Sequence, residues 1–151
     1  MIPDAADARD SLTRMRQTET ISGSYGKHLS RILEVRAEFL DLEARVLRPA
    51  SDQVLDSEEG VVRLLGDPVG SGELRAAQFR AIAGADFLYL VNPGGYVGPA
   101  ATLEAGYAYR GHTPIFAAEI PFESDLREIV TAVGDPRKAL DVMTKKVAAL
   151  G

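Results

Sequence analysis

Glu104 stands where a solvated acid has little reason to be. It lies in the stretch NPGGYVGPAATLEAGYAYRG, Asn92 to Gly111, in which a glycine-rich turn opens into a helical pattern. On a helix, residues three and four apart are neighbours, so Ala100, Glu104, Tyr107 and Ala108 share one face. The carboxylate therefore points with alanines and an aromatic ring, not with other charges. The chemistry open to such a group is proton transfer, covalent attack or stabilisation of a developing positive charge.

The elements that must position this acid follow from hydrophobic patterning. Phe87 to Val91 is an unbroken apolar run, as expected of a central parallel strand covered on both faces. Upstream, the short β-branched segment Glu19 to Ser22 meets the turn Gly23-Ser24-Tyr25-Gly26 and then a helical pattern over Lys27 to Ala44. Strand, glycine turn and helix form the first half of a βαβ unit. Arg45 to Arg48 reads as a second strand stopped by Pro49. Ala50 to Gly72 is a long polar stretch with one apolar patch, so a short strand at Val61 to Leu64 is expected within a loop of functional length.

A helix over Gly72 to Ala85 carries Leu74, Ala77, Ala81 and Ile82 on its apolar stripe, with Gln78 as the polar intruder. A buried amide needs partners, either backbone groups or a ligand. Pro114 to Ala118 supplies a fourth strand. Ser124 is expected to cap a helix in which Leu126, Ile129, Val130 and Val133 recur at helical spacing up to Gly134. Asp135-Pro136 then opens a last helix with Leu140, Met143, Val147 and Leu150 inward.

Alternating strands and helices predict an α/β three-layer sandwich with a flavodoxin-like parallel sheet, order about 2-1-3-4, with room for a short fifth strand. Ligands bind outside the carboxyl ends of such strands, at the switch point. That rule brings Gly23, Ser24 and Tyr25 together with Asn92, Gly94, Gly95, Tyr96 and Gly98 over one crevice, beside the start of the Glu104 helix.

Composition narrows the function. A chain of 151 residues suits one domain, expected over residues 17–151 after a loosely held arm at 1–16. A net charge of -5 argues against nucleic acid as the partner, although a local phosphate site is allowed. The absence of cysteine removes disulfides and thiolate chemistry, and two histidines far apart make a histidine-rich metal site improbable. No metal or cofactor is expected. No apolar stretch approaches the roughly 20 residues needed to cross a bilayer, and the start lacks a signal-peptide core. A cytoplasmic protein without membrane partners is expected.

Ile21-Ser22-Gly23-Ser24, Ala85 to Val91, and above all Leu103-Glu104-Ala105-Gly106-Tyr107-Ala108 resemble the nucleoside 2-deoxyribosyltransferase-like superfamily, which includes nucleotide N-glycosidases. The resemblance spans about Glu19 to Ala118. It implies that Glu104 is a nucleophile toward the anomeric carbon of a nucleoside or nucleoside 5′-monophosphate, and that the protein is a homo-oligomer, dimeric or higher. Backbone N–H groups of Gly23 to Gly26 at a helix start would hold a 5′-phosphate or hydroxyl.

The family's transferases carry acids where this chain has Gln78 and Gly98, and those acids contact and protonate the base. Glutamine can hydrogen-bond a base edge but is no proton donor of that kind. Hydrolysis is therefore expected over base exchange, with a leaving group that needs little protonation or a general acid from the Asp52 to Asp67 loop, and with a nucleotide-binding or sensor domain as the alternative. Bland roles also exist for single residues. Glu104 would then be a helix-face acid at an oligomer interface, Asn92 a turn former, and Tyr96 an exposed loop aromatic instead of a lid.

Overall fold

The computed structural model describes residues 17–58 and 61–150. The arm expected at residues 1–16 lies outside the described residues. The elements in chain order are β1 (Thr18–Gly23), α1 (Tyr25–Asp41), β2 (Arg45–Arg48), β3 (Val54–Glu58), β4 (Val61–Leu64), α2 (Ser71–Gly84) and β5 (Phe87–Val91). After a single 3-10 turn at Pro93–Gly95 come α3 (Pro99–Arg110), β6 (Ile115–Ala117), α4 (Ser124–Ile129), β7 (Thr131–Ala132) and α5 (Pro136–Leu150).

Five strands form one sheet in the order β2-β1-β5-β6-β7, every neighbouring pair parallel. This is an α/β sandwich of the flavodoxin-like kind. β1 and β5 lie side by side in register from Glu19 opposite Phe87 to Gly23 opposite Val91. All five residues of β5 are buried. Side chains alternate across a strand, so Phe87, Tyr89 and Val91 join one core layer with Ile32, Val35 and Phe39 of α1 and Leu140 and Met143 of α5. Leu88 and Leu90 join the other with Ile82 of α2, Ala101, Ala105 and Ala108 of α3, and Leu126 of α4.

The first layer is built on rings. Phe39 meets Tyr89 edge-on at 5.3 Å and Phe87 at 5.9 Å, and Phe87 meets Phe116 at 5.4 Å. Truncating Phe39 to alanine would cost about 3–5 kcal/mol. The second layer is built on alanines, which lets α3 approach the sheet closely and sets the Glu104 helix directly against the strand ends.

Three expectations change. The helix from Ser124 ends at Ile129, and Glu123, not Ser124, occupies its N-cap position. Thr131 and Ala132 instead pair with Phe116 and Ala117 as the fifth strand. The β-branched run Ile129-Val130-Thr131 favours an extended chain, and Val133 N donates to Ala117 O, extending the ladder. On α5, Leu140 and Met143 are buried but Val147 and Leu150 are exposed. Finally, β4 is no isolated strand: it pairs antiparallel with β3 in a hairpin separate from the main sheet. All of β3 is exposed, so its sequence carries no apolar face to announce it.

Candidate active site

β1 ends in Ser22 and Gly23, and only glycine fits the second position. A Cβ on Gly23 would lie 2.8 Å from Val91 O and 3.2 Å from Ile32 Cδ1. The close approach lets the chain turn sharply into α1, whose N-cap Ser24 accepts from Lys27 N at 3.3 Å. On the neighbouring strand, the turn after β5 runs to Gly98, the N-cap position of α3, with φ +89° and ψ 161°. L side chains are strongly disfavoured in that conformation. Gly98 is thus a backbone requirement of this helix entry, which leaves no place for an acid.

Between these two helix starts opens a cavity of 410 Å³ at the carboxyl edge of the sheet. Gly23, Ser24 and Tyr25 line it from one side; Gly98, Pro99, Ala100 and Glu104 line it from another. Val61 and Val62 of the hairpin, with Leu74 and Val97, supply an apolar wall. Arg48, Asp67, Arg75 and Gln78 supply a polar one. The size and the mixture suit a small organic ligand with a few anchoring polar groups.

Glu104, partly buried on α3, receives hydrogen bonds from the side chains of Ser22 and Gln78. Burial pushes its carboxyl up to about 7, while those two hydrogen bonds and the nearby Arg75 and Arg48 guanidiniums pull the other way. At neutral pH this acid is close to its midpoint, unlike a solvated glutamate.

Gln78, the polar residue on the apolar stripe of α2, is 7% exposed. Its Nε2 donates to Ile21 O at 3.2 Å and to Ser22 Oγ at 3.3 Å, and its Oε1 accepts from Arg48 Nε at 3.0 Å. Arg48 Nη2 sits 2.9 Å from Asp67 Oδ1, as an ion pair and not an aligned hydrogen bond, with the Asp67 side chain only 3% exposed. Asp67 Oδ2 accepts from Leu64 N at 2.8 Å, which ties this wall to the hairpin. The Tyr25 hydroxyl donates to Ile21 O at 3.4 Å. Burial, then the Glu104 charge, hold that phenol above its ordinary range, so it stays neutral.

The structure therefore brings Gly23, Ser24, Tyr25, Gln78, Gly98 and Glu104 into one cavity. Asn92, Gly94, Gly95 and Tyr96 stand outside its walls. Asn92 is fully buried; its Nδ2 donates to Glu119 O at 2.8 Å and its Oδ1 accepts from Glu119 N at 3.0 Å. Gly94 N donates to Glu119 Oε2 at 2.8 Å, and Gly95 O accepts from Phe122 N at 3.0 Å. These contacts clamp the turn after β5 to the turn after β6. Tyr96 packs beside Gly98, with Lys27 Nζ 4.0 Å above its ring and His28 edge-on at 6.1 Å. On the outer surface of α3, Tyr107 stacks on Phe79 at 4.5 Å yet remains 41% exposed, and Tyr109 is more exposed still.

Ser22 as a hydrogen-bond donor, Arg48 and Arg75 were missed by the pattern of the sequence, and Asp67 was marked only as one end of a loop that could supply an acid. Arg48 carried a usable signal: it is the last residue of a strand, and the switch-point rule applies to that edge as well as to the glycine turns. Arg75 carried none, being at an exposed helix position. Among the described residues no three His, Asp or Glu side chains gather as a metal site, and no helix is long and apolar enough to cross a membrane. Neither a protein-family model, nor a curated protein, nor a solved structure matches this chain.

Proposed function

We propose that this protein cleaves the N-glycosidic bond of a nucleoside or nucleoside 5′-monophosphate, by hydrolysis in preference to base exchange, with Glu104 as the nucleophile. The observation that carries the reading is the Glu104 carboxylate, held by Ser22 and Gln78 in a 410 Å³ cavity that Val61, Val62, Leu74 and Val97 also line. A carboxylate oxygen would attack the anomeric carbon as the bond to the base nitrogen breaks, the electron pair leaving with the base. Water would then attack the same carbon and free the carboxylate, as in retaining glycosidases.

Gln78 and Gly98 supply no proton, and Asp67 is engaged by Arg48, so the departing base takes its proton from solvent. That arrangement favours leaving groups that need little protonation. The free backbone N–H groups at the start of α1 and the Arg75 guanidinium give a 5′-phosphate its counterparts. A homo-oligomer belongs to the same reading, with the exposed Leu103, Tyr107 and Tyr109 on α3 as the contact surface. Light scattering on the purified chain decides that part.

The test is incubation with a panel of nucleosides and 5′-monophosphates, with chromatography for free base. Turnover that persists in Glu104→Gln, or none with any substrate, removes the mechanism. A second reading is a nucleotide-binding or sensor domain that uses this cavity without chemistry. It is favoured by the structural duties of Gln78 and Gly98, which leave no acid beside the base. It predicts ligand-dependent thermal stabilisation that survives Glu104→Gln and yields no product.

A further inference from the structure

We propose that Arg48, anchored by Asp67, is a positioning residue for Glu104, acting through the amide of Gln78 and the hydroxyl of Ser22. The polarity of this chain is forced at each link. Arginine offers only donors, so the oxygen of the Gln78 amide must face Arg48 Nε, 3.0 Å away. A carbonyl offers only acceptors, so the nitrogen must face Ile21 O at 3.2 Å. Both ends demand the same orientation, and the amide has no second choice.

With its nitrogen so directed, Gln78 also donates to Ser22 Oγ at 3.3 Å. A serine hydroxyl has one proton, and with Gln78 donating to its oxygen that proton is directed to Glu104, with which Ser22 shares a hydrogen bond. The amide nitrogen also faces the carboxylate, sharing between Ser22 and Glu104 the one proton not given to Ile21 O. A flipped amide would turn its oxygen toward Ile21 O, Ser22 and Glu104, repelling the carboxylate it now supports. Arg48 removes that alternative, and its ion pair with the almost fully buried Asp67 holds the guanidinium in place. The carbonyls that follow it are fixed too, since Arg36 donates to Pro49 O at 2.9 Å and Ala50 O at 3.2 Å. Gln78 is thus a positioning group with its N–H bonds engaged, and not a reader of the base.

The charged and titratable groups facing Glu104 are Arg75 from α2, Arg48 from β2, Asp67 from the segment after the hairpin, and the Tyr25 phenol from the first turn of α1. Removing Arg48 alone would change the charge of the wall and leave Asp67 buried and unpaired. The informative variant is therefore Arg48→Met combined with Asp67→Asn. It deletes both charges together, and the asparagine keeps the acceptor for Leu64 N.

Glu104 is titrated by carbon NMR of glutamate carboxyl-labelled protein, its signal identified by its loss in Glu104→Gln. In the folded double variant its midpoint is expected to rise by about one pH unit above that of the wild type, because the oriented donors are lost. Gln78→Met is expected to give a rise of similar size. In the Gln78→Met background the same two substitutions should add only the direct loss of the Arg48 charge, a rise smaller than the one they cause in the wild type, since one chain is broken at two places. An unchanged midpoint in the double variant, or a triple-variant shift equal to the sum of the other two, overturns the relay. If the double variant does not fold, Gln78→Met and Ser22→Ala carry the test, and an unchanged midpoint in both overturns it.

The catalytic meaning of this chain rests on Glu104 being the nucleophile, but the titration needs no turnover. Loss of that function with the shift intact sinks the proposed reaction alone. Base release with no shift sinks the relay alone.

Discussion

Two glutamates flank the β1–β5 pair, and they differ in nearly everything but chemistry. Glu104 sits over the carboxyl edge of the sheet beside a cavity, with Ser22 and Gln78 as donors and two guanidiniums nearby. Glu19 sits at the amino end, in β1 opposite Phe87, fully buried, and neither carboxylate oxygen finds a hydrogen-bond partner. Burial first, and then the Asp86 carboxylate, push Glu19 up to about 9, against about 7 for Glu104. The difference teaches what separates a buried acid from a poised one. Donors and cations hold Glu104 where both protonation states are populated at neutral pH, while Glu19 without them stays neutral.

The largest expected effect breaks the comparison at Glu104. Glu104→Gln should reduce free-base release by on the order of 10³-fold or more, since it removes the reacting atom, and initial rates by chromatography check it. Next comes Glu19→Gln. Because the folded-state pKa lies above the ordinary value of 4.5, this group's contribution to stability is fully present below pH 4.5 and is lost as pH rises toward about 9. At pH 7 the accumulated cost is about 3 kcal/mol, so Glu19→Gln should raise the urea midpoint and flatten the decline of stability with pH. A lowered midpoint would mean that the carboxylate has a stabilising partner.

Asn92→Ala sharpens the comparison from the side of the turns. It deletes both hydrogen bonds that join β5's end to the part-buried Glu119 backbone, at about 1–2 kcal/mol. KM for the substrate found active should not change, because Asn92 lies outside the cavity; a raised KM at full folding would place it at the ligand. The smallest effect is the pH profile. Glu104 attacks as the carboxylate, so kcat/KM should climb through a midpoint near 7, gaining about tenfold between pH 6 and pH 8. A flat profile over that range would separate the rate from Glu104 ionisation.

Much of this architecture was readable from patterning, because it depends on neighbours in the chain. The apolar run Phe87 to Val91, the two glycine turns and the Asp135-Pro136 helix start each state their structure within a few residues. Local signals failed where pairing competes with local preference. Leu126, Ile129, Val130 and Val133 fit helical spacing, yet β6 offered an unpaired edge and took Thr131 and Ala132 into the sheet. The hairpin was half seen, since β3 buries nothing and its two apolar residues, Val54 and Leu55, fall on opposite faces, while β4 carries a run of them.

The candidate site divides along the same line. That Glu104 is set apart from solvated charge follows from the spacing of alanines on one helix, a property of the local chain. That it titrates near 7, and that Ser22, Gln78, Arg48 and Asp67 form the chain behind it, depends on β1, β2, α2 and the hairpin meeting over one strand edge. Hydrogen bonds of this kind join residues as far apart as Ser22 and Gln78, 56 positions along the sequence. Desolvation and donor geometry are properties of the assembled surroundings, so the identity of the acid lay in the sequence and its reactivity arose from the fold.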